Sequence, residues 1–103
     1  MITEFQKKVY ELCKQVPAGK VTTYKAIGDA LGIAGYRAVG LALNKNPFSP
    51  YVPCHRVVAS DGSVGGFAFG VEKKIEMLRK EGVRIENGMV VGFEERLVLV
   101  RTK

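Results

Sequence analysis

The sequence predicts a mostly α fold with small β elements, organised as a winged helix-turn-helix-like domain. Three observations predict it. Apolar residues recur at helical spacing near the N-terminus and again between Val71 and Leu78. Two short helical stretches flank Gly32-Ile33-Ala34-Gly35, the tight glycine-containing turn of a helix-turn-helix. Asn87-Gly88 separates Val83-Arg84-Ile85 from Met89-Val90-Val91, a two-residue hairpin signal. At 103 residues the chain supports one modest core, so a single domain over 1–103 is expected.

The elements follow in order. Thr3-Glu4-Phe5-Gln6 has the form of a capping box, and Phe5, Val9, Leu12, Cys13 and Val16 then make one apolar stripe. Cys13 lies on that stripe and reads as a packed thiol. Pro17-Ala18-Gly19 ends the helix. Thr22 or Thr23 caps a second helix through Leu31, with Ala26, Ile27, Ala30 and Leu31 as its apolar face. A third helix runs from Tyr36 to about Asn44, which places the helix-turn-helix at about 23–45.

Ala38, Gly40 and Ala42 make that third helix small-surfaced, and Arg37 is its only charge before Lys45. A helical glycine costs about 1 kcal/mol relative to alanine, and close approach to another surface is a reason to keep it. That surface is either protein or a nucleic-acid groove. Residues 46–70 hold the Asn46-Pro47-Phe48-Ser49-Pro50 loop, a turn carrying Cys54, the apolar Val57-Val58-Ala59, and an aromatic-bearing glycine loop. A last helix over 71–81 turns Val71, Ile75 and Leu78 inward, with Gly82 as its cap. The hairpin and tail occupy 83–103, and Leu97-Val98-Leu99-Val100 is apolar enough for another strand.

Sixteen Lys and Arg against ten Asp and Glu give a formal charge of +6, which suits a polyanionic partner. No apolar run approaches a membrane span and no signal-peptide pattern opens the chain, so an intracellular protein, cytoplasmic or nuclear, with reduced thiols is expected.

The chemistry concentrates in Pro53-Cys54-His55-Arg56-Val57, where a thiol stands beside the only histidine and a guanidinium. A thiol is a nucleophile only as thiolate, and imidazole or cationic neighbours favour that form. Pro53 stiffens the turn and pushes Val52 toward extended geometry. Adjacent side chains on an extended segment diverge, so a bridging water or the turn geometry would have to couple Cys54 to His55. A carboxylate beyond the imidazole would fix its tautomer. Taken by itself, Glu81 reads as a solvated charge at a helix end. Cys13, Cys54 and His55 fall short of a zinc ligand set at the usual spacings.

Taken together, Gly19-Lys20-Val21-Thr22-Thr23-Tyr24, Tyr36-Arg37-Ala38-Val39-Gly40, Asn46-Pro47, Pro53-Cys54-His55-Arg56-Val57, Gly62-Ser63-Val64-Gly65-Gly66-Phe67 and Leu78-Arg79-Lys80-Glu81-Gly82 resemble the O6-alkylguanine-DNA alkyltransferases. The resemblance runs from about Phe5 to Gly82. It implies a DNA-repair domain that flips O6-alkylguanine out of duplex DNA and takes the alkyl group irreversibly onto Cys54, as a monomer, through the minor groove, with no cofactor or metal. It further implies a Cys54–water–His55–Glu81 relay and Arg37 filling the vacated base stack. Ala38 and Gly40 would permit close docking, and Tyr24 would contact the extrahelical nucleotide. Asn46 would buttress the active-site turn and Arg56 would organise it. The carbonyls of Cys54 and Val57 would accept from the guanine amine, Phe67 would form an aromatic wall, and the Ala68 amide would face O6. Phe67 and Ala68 depart from the tyrosine and serine found in relatives. The short chain also resembles the alkyltransferase-like lesion sensors, which usually replace the cysteine. Retention of Cys54, His55 and Glu81 points to transfer; the alternative is a non-enzymatic sensor that recruits other repair factors.

Overall fold

The computed structural model describes residues 2–49, 51–67 and 69–102. Its elements are α1 (Glu4–Cys13), β1 (Thr22–Thr23), α2 (Tyr24–Ala30), α3 (Arg37–Asn44), a 3-10 turn (Cys54–Arg56), β2 (Val57–Val58), α4 (Val71–Lys80), β3 (Ile85–Glu86), β4 (Met89–Val90) and α5 (Phe93–Arg96). The fold is mostly helical with small sheets and is helix-turn-helix-like, as the sequence predicts.

Local chemistry sets each start and stop. The Thr3 hydroxyl accepts from the Gln6 amide while the Gln6 side chain accepts from the Thr3 amide, closing the capping box of α1. Of the two threonines, Thr23 caps α2, its hydroxyl accepting from the Ala26 amide at 2.9 Å. Between α2 and α3 the Tyr36 ring folds back on Gly28, where an added Cβ would meet the ring at 2.9 Å. Only glycine at position 28 lets the two helices close this tightly. In the β3–β4 turn both Asn87 (φ 53°) and Gly88 (φ 74°) take positive φ, the geometry that made Asn-Gly a hairpin signal.

β1 and β2 pair in parallel, Thr22 opposite Val57 and Thr23 opposite Val58. Because successive strand residues face opposite ways, Val57 packs into a cluster with Val9, Leu12, Cys13, Ile27, Val39 and Cys54, whereas Val58 joins Val21, Val64, Leu78, Val83, Ile85 and Val90. The seam therefore separates two apolar clusters. It also joins the start of α2 directly to the 3-10 turn.

Three sequence expectations need correction. Val71 is 43% exposed, and Lys74 instead takes the inward position one turn before Leu78. The last helix ends at Lys80, with Glu81 as its cap. Leu97-Val98-Leu99-Val100 makes only a single parallel bridge, Leu97 to Val21, because the partner chain turns into α2 three residues on. α5 before it was not anticipated; it is held by the Arg96 guanidinium donating to the Gly19 carbonyl at 3.0 Å.

Thr23→Ala should remove the α2 cap and cost about 1 kcal/mol. In a domain of this size that lowers the midpoint of thermal unfolding by about 4–8 °C. Calorimetry showing an unchanged midpoint would mean that packing, not the cap, starts α2.

Candidate active site and nucleic-acid interface

The 3-10 turn follows directly from Val52 and Pro53 and feeds β2, so both of its flanks are fixed. Asn46 is the clamp on its entry: its amide nitrogen donates to the Val52 carbonyl at 2.8 Å, and its oxygen accepts from the Phe48 amide at 2.8 Å. Cys54 is 5% exposed at the mouth of the first apolar cluster, with its amide donating to the Val52 carbonyl at 2.8 Å. Cys13, the second thiol, is fully buried in the same cluster, and burial pushes it up to about 12. It is packing, as its place on the α1 stripe predicts.

The turn brings His55 and Arg56 together on one carboxylate. His55 is buried, and its Nε2 lies 3.0 Å from Glu81 Oε2. Arg56 donates to Glu81 Oε1 from Nε at 2.9 Å and to Oε2 from its terminal nitrogen at 2.5 Å. Its other terminal nitrogen donates to the Val16 carbonyl at 2.8 Å, tying the network to the turn that follows α1. Glu81 caps the C-terminus of α4, where the helix dipole opposes a carboxylate by about 0.3–1 kcal/mol. Hydrogen bonds to charged groups contribute about 1.5–3 kcal/mol each, so the Arg56 contacts outweigh that opposition. The solvated-charge reading of Glu81 does not fit this geometry.

Burial pushes the Glu81 carboxyl up, but the hydrogen bonds from Arg56 and His55, with their charges, outweigh it and hold the group below its ordinary value. Burial, joined by the Arg56 and Lys74 charges, pushes the His55 imidazole down against the lift from Glu81. An ionised carboxylate only accepts, so the neutral ring carries its proton on Nε2 and keeps a lone pair on Nδ1. Nδ1 is buried and has no hydrogen-bond partner among the described residues.

Lys74 is a site residue the sequence reading missed. It is fully buried, and its ammonium donates to the Val57 carbonyl at 2.6 Å, the Gly66 carbonyl at 3.0 Å and the Tyr24 hydroxyl at 3.3 Å. Three donors meet three acceptors, which is what makes a buried ammonium tolerable. Burial lowers its pKa to about 8 against the pull of Cys54 and Cys13. The available signal was a polar residue at an inward helical position, one turn from Leu78.

Tyr24 closes the side of the site: its hydroxyl reaches the Gly66 carbonyl at 3.4 Å, and the Lys74 nitrogen lies 5.6 Å from its ring centroid. Burial, then Cys54 and Cys13, raise the Tyr24 phenol above its ordinary value. Gly65 takes φ +72°, and an added Cβ there would meet the Tyr24 ring at 3.4 Å. Phe67 is half-buried against the cluster that contains Cys54. The carbonyls expected to receive a guanine amine are already engaged, Val57 by Lys74 and Cys54 by the Val57 amide. Each keeps its second lone pair. Ala68 lies outside the described residues.

Arg37 and Ala38 stand on the exposed face of α3. A Cβ added to Gly40 would meet nothing within 4 Å. Packing within this protein therefore does not require glycine at position 40, which removes one of the two explanations for its presence. Among the described residues no group of three or more His, Cys, Asp or Glu side chains is placed to hold a metal, and no helix is long and apolar enough to cross a membrane.

Residues 4–83 match the family model described as 6-O-methylguanine DNA methyltransferase, DNA binding domain. A methylated-DNA–protein-cysteine methyltransferase of Saccharolobus solfataricus is 48% identical over 81 residues, 79% of this chain and 52% of that protein. The O6-methylguanine-DNA methyltransferase crystal structure from Pyrococcus kodakaraensis superposes with a TM-score of 0.72 at 49% identity, covering 80% of this chain and 48% of that one. S. pombe Atl1, in complex with damaged DNA containing O6-carboxymethylguanine, gives a TM-score of 0.81 at 31% identity over 95% of this chain and 98% of its own. The chain thus spans about half the length of the Saccharolobus relative.

The two shifts of the His55–Glu81 pair act on stability with the same sign. The folded imidazole lies below 6.5, so the unfolded chain takes up that proton first and stability falls as pH drops through that value. Glu81 contributes stability above 4.5 that is lost as pH falls through its lower folded value. Calorimetric unfolding temperatures should therefore decline from about pH 7 to about pH 4. A midpoint that stays level or rises over that range would contradict a buried, neutral His55 beside an ionised Glu81.

Proposed function

Since the chain belongs to the 6-O-methylguanine DNA methyltransferase DNA-binding-domain family, we propose that it repairs O6-alkylguanine in duplex DNA by moving the alkyl group onto Cys54. The observation that carries this reading is Cys54 on a rigid turn whose next two residues share the Glu81 carboxylate. A neutral imidazole with its free lone pair beside the turn is a base suited to a thiol.

The step balances without a cofactor. Through a water, His55 Nδ1 takes the Cys54 proton, and Glu81 steadies the imidazolium that forms. The thiolate sulfur attacks the alkyl carbon, an S–C bond forms and the C–O6 bond breaks. Its electron pair stays on guanine, which receives the proton. A thioether is a poor leaving group, so each molecule reacts once.

O6 is sheltered in stacked DNA, so the nucleotide must be extrahelical. We assign the exposed face of α3 to the minor groove, with Arg37 filling the vacated stack and Ala38 and Gly40 allowing close approach. Tyr24 and Phe67 would line the base site, and Asn46 and Arg56 hold its floor. The partner is double-stranded DNA bearing the lesion, met by a monomer. The alternative reading is lesion binding without transfer; S. pombe Atl1 is seen in complex with damaged DNA containing O6-carboxymethylguanine.

Intact-protein mass with peptide mapping after exposure to O6-methylguanine duplex decides between them. Transfer adds about 14 Da, one CH2 in place of hydrogen, confined to the Cys54 peptide and saturating near one equivalent. Cys54→Ser should bind without gaining mass, and His55→Ala should react far more slowly. Tight binding by the unaltered protein with no mass gain would leave the lesion-sensor reading in place of transfer.

A further inference from the structure

α3 buries Val39, Ala42 and Leu43 and exposes Arg37, Ala38, Leu41 and Asn44, and its C-cap residue Lys45 is exposed as well. Leu41 is 54% exposed. Single exposed leucines are commonplace on protein surfaces; this one is set apart by its register. It stands one turn after Arg37 and one turn before Lys45, so the three side chains make a cation–apolar–cation row along one helix face. The helix RAVGLALN contains no carboxylate. The open space over Gly40 lies beside that row.

We propose that Leu41 is an apolar wedge of the DNA interface, seated against the deoxyribose walls of the minor groove while Lys45 reaches a phosphate. The inference rests on the repair reading above and adds a positioning residue to it. Charge selects the occupant: two cations with no acid between them complement a phosphate-lined groove, and the whole chain carries +6. Apolar side chains inserted beside cations are how minor-groove proteins hold an unstacked step. Arg37 supplies the filling group, and Leu41 one turn on would keep the helix from sliding along the groove.

The test measures the dissociation constant for a duplex carrying one O6-methylguanine, across a salt series, for the unaltered protein, Leu41→Ala, Leu41→Met, Leu41→Asn and Lys45→Ala. Burying a leucine is worth enough that Leu41→Ala should weaken binding about tenfold. Leu41→Met should restore most of the affinity and Leu41→Asn should not. Leu41→Ala should keep the salt slope of the unaltered protein, whereas Lys45→Ala should reduce it by about one counterion. Alanine is the better helix former, so a lost helix would not explain the loss; circular dichroism checks this. Leu41→Ala binding as tightly as the unaltered protein overturns the wedge. So does a change confined to self-association in sedimentation, which would assign the face to a second copy of the chain. If the unaltered protein binds no lesion duplex, the repair reading itself fails and the wedge with it.

Discussion

One carboxylate holds this site together. Glu81 ends α4 where the helix dipole disfavours it, yet it accepts from both residues that follow the thiol, His55 at 3.0 Å and Arg56 at 2.9 Å. Through Arg56 the same network reaches the Val16 carbonyl and so the turn that follows α1. Three parts of the chain that are remote in sequence are thereby locked to one turn. The imidazole's tautomer follows from this lock rather than from any contact with the cysteine, because the ionised acceptor claims the Nε2 proton.

Around that lock the fold supplies stiffness. The two-rung parallel seam of β1 and β2 ties the start of α2 to the turn, so Tyr24 and Cys54 belong to one rigid unit. Lys74 ties the glycine loop to this unit, giving all three of its hydrogens to the Val57 and Gly66 carbonyls and the Tyr24 hydroxyl. A buried ammonium is costly unless fully paired, and here the pairing draws the glycine loop over the site. The face of α3 proposed to meet DNA is exposed, and the opposite side of the helix packs into the same cluster as Cys54. The proposed contact surface and the thiol thus share one core.

Much of this was legible in the sequence where local chemistry decides structure. The Thr3 capping box, the Asn87-Gly88 turn and the small-surfaced third helix each depend on residues within a few positions of one another. The Cys54, His55 and Glu81 set was legible through its motifs. What escaped depends on contacts across the chain. Two-residue strands carry no periodicity, so the pairing of Thr22-Thr23 with Val57-Val58 left no mark. Lys74 reads as a solvated lysine until the Val57 and Gly66 carbonyls are seen above it, and taking Val71 as the inward residue was the same error. The bidentate role of Arg56 spans 25 positions and needed the fold.

The central claim is that Glu81 and Arg56 fix a neutral His55 with its proton on Nε2 and a free lone pair on Nδ1. His55 is the only histidine in the chain, so its ring nitrogens can be assigned without ambiguity by nitrogen-15 NMR. At neutral pH the account predicts a protonated, pyrrole-type Nε2 and an unprotonated, pyridine-type Nδ1, with the imidazolium appearing only below the ordinary histidine value. A proton on Nδ1, or an imidazolium persisting at neutral pH, would contradict it.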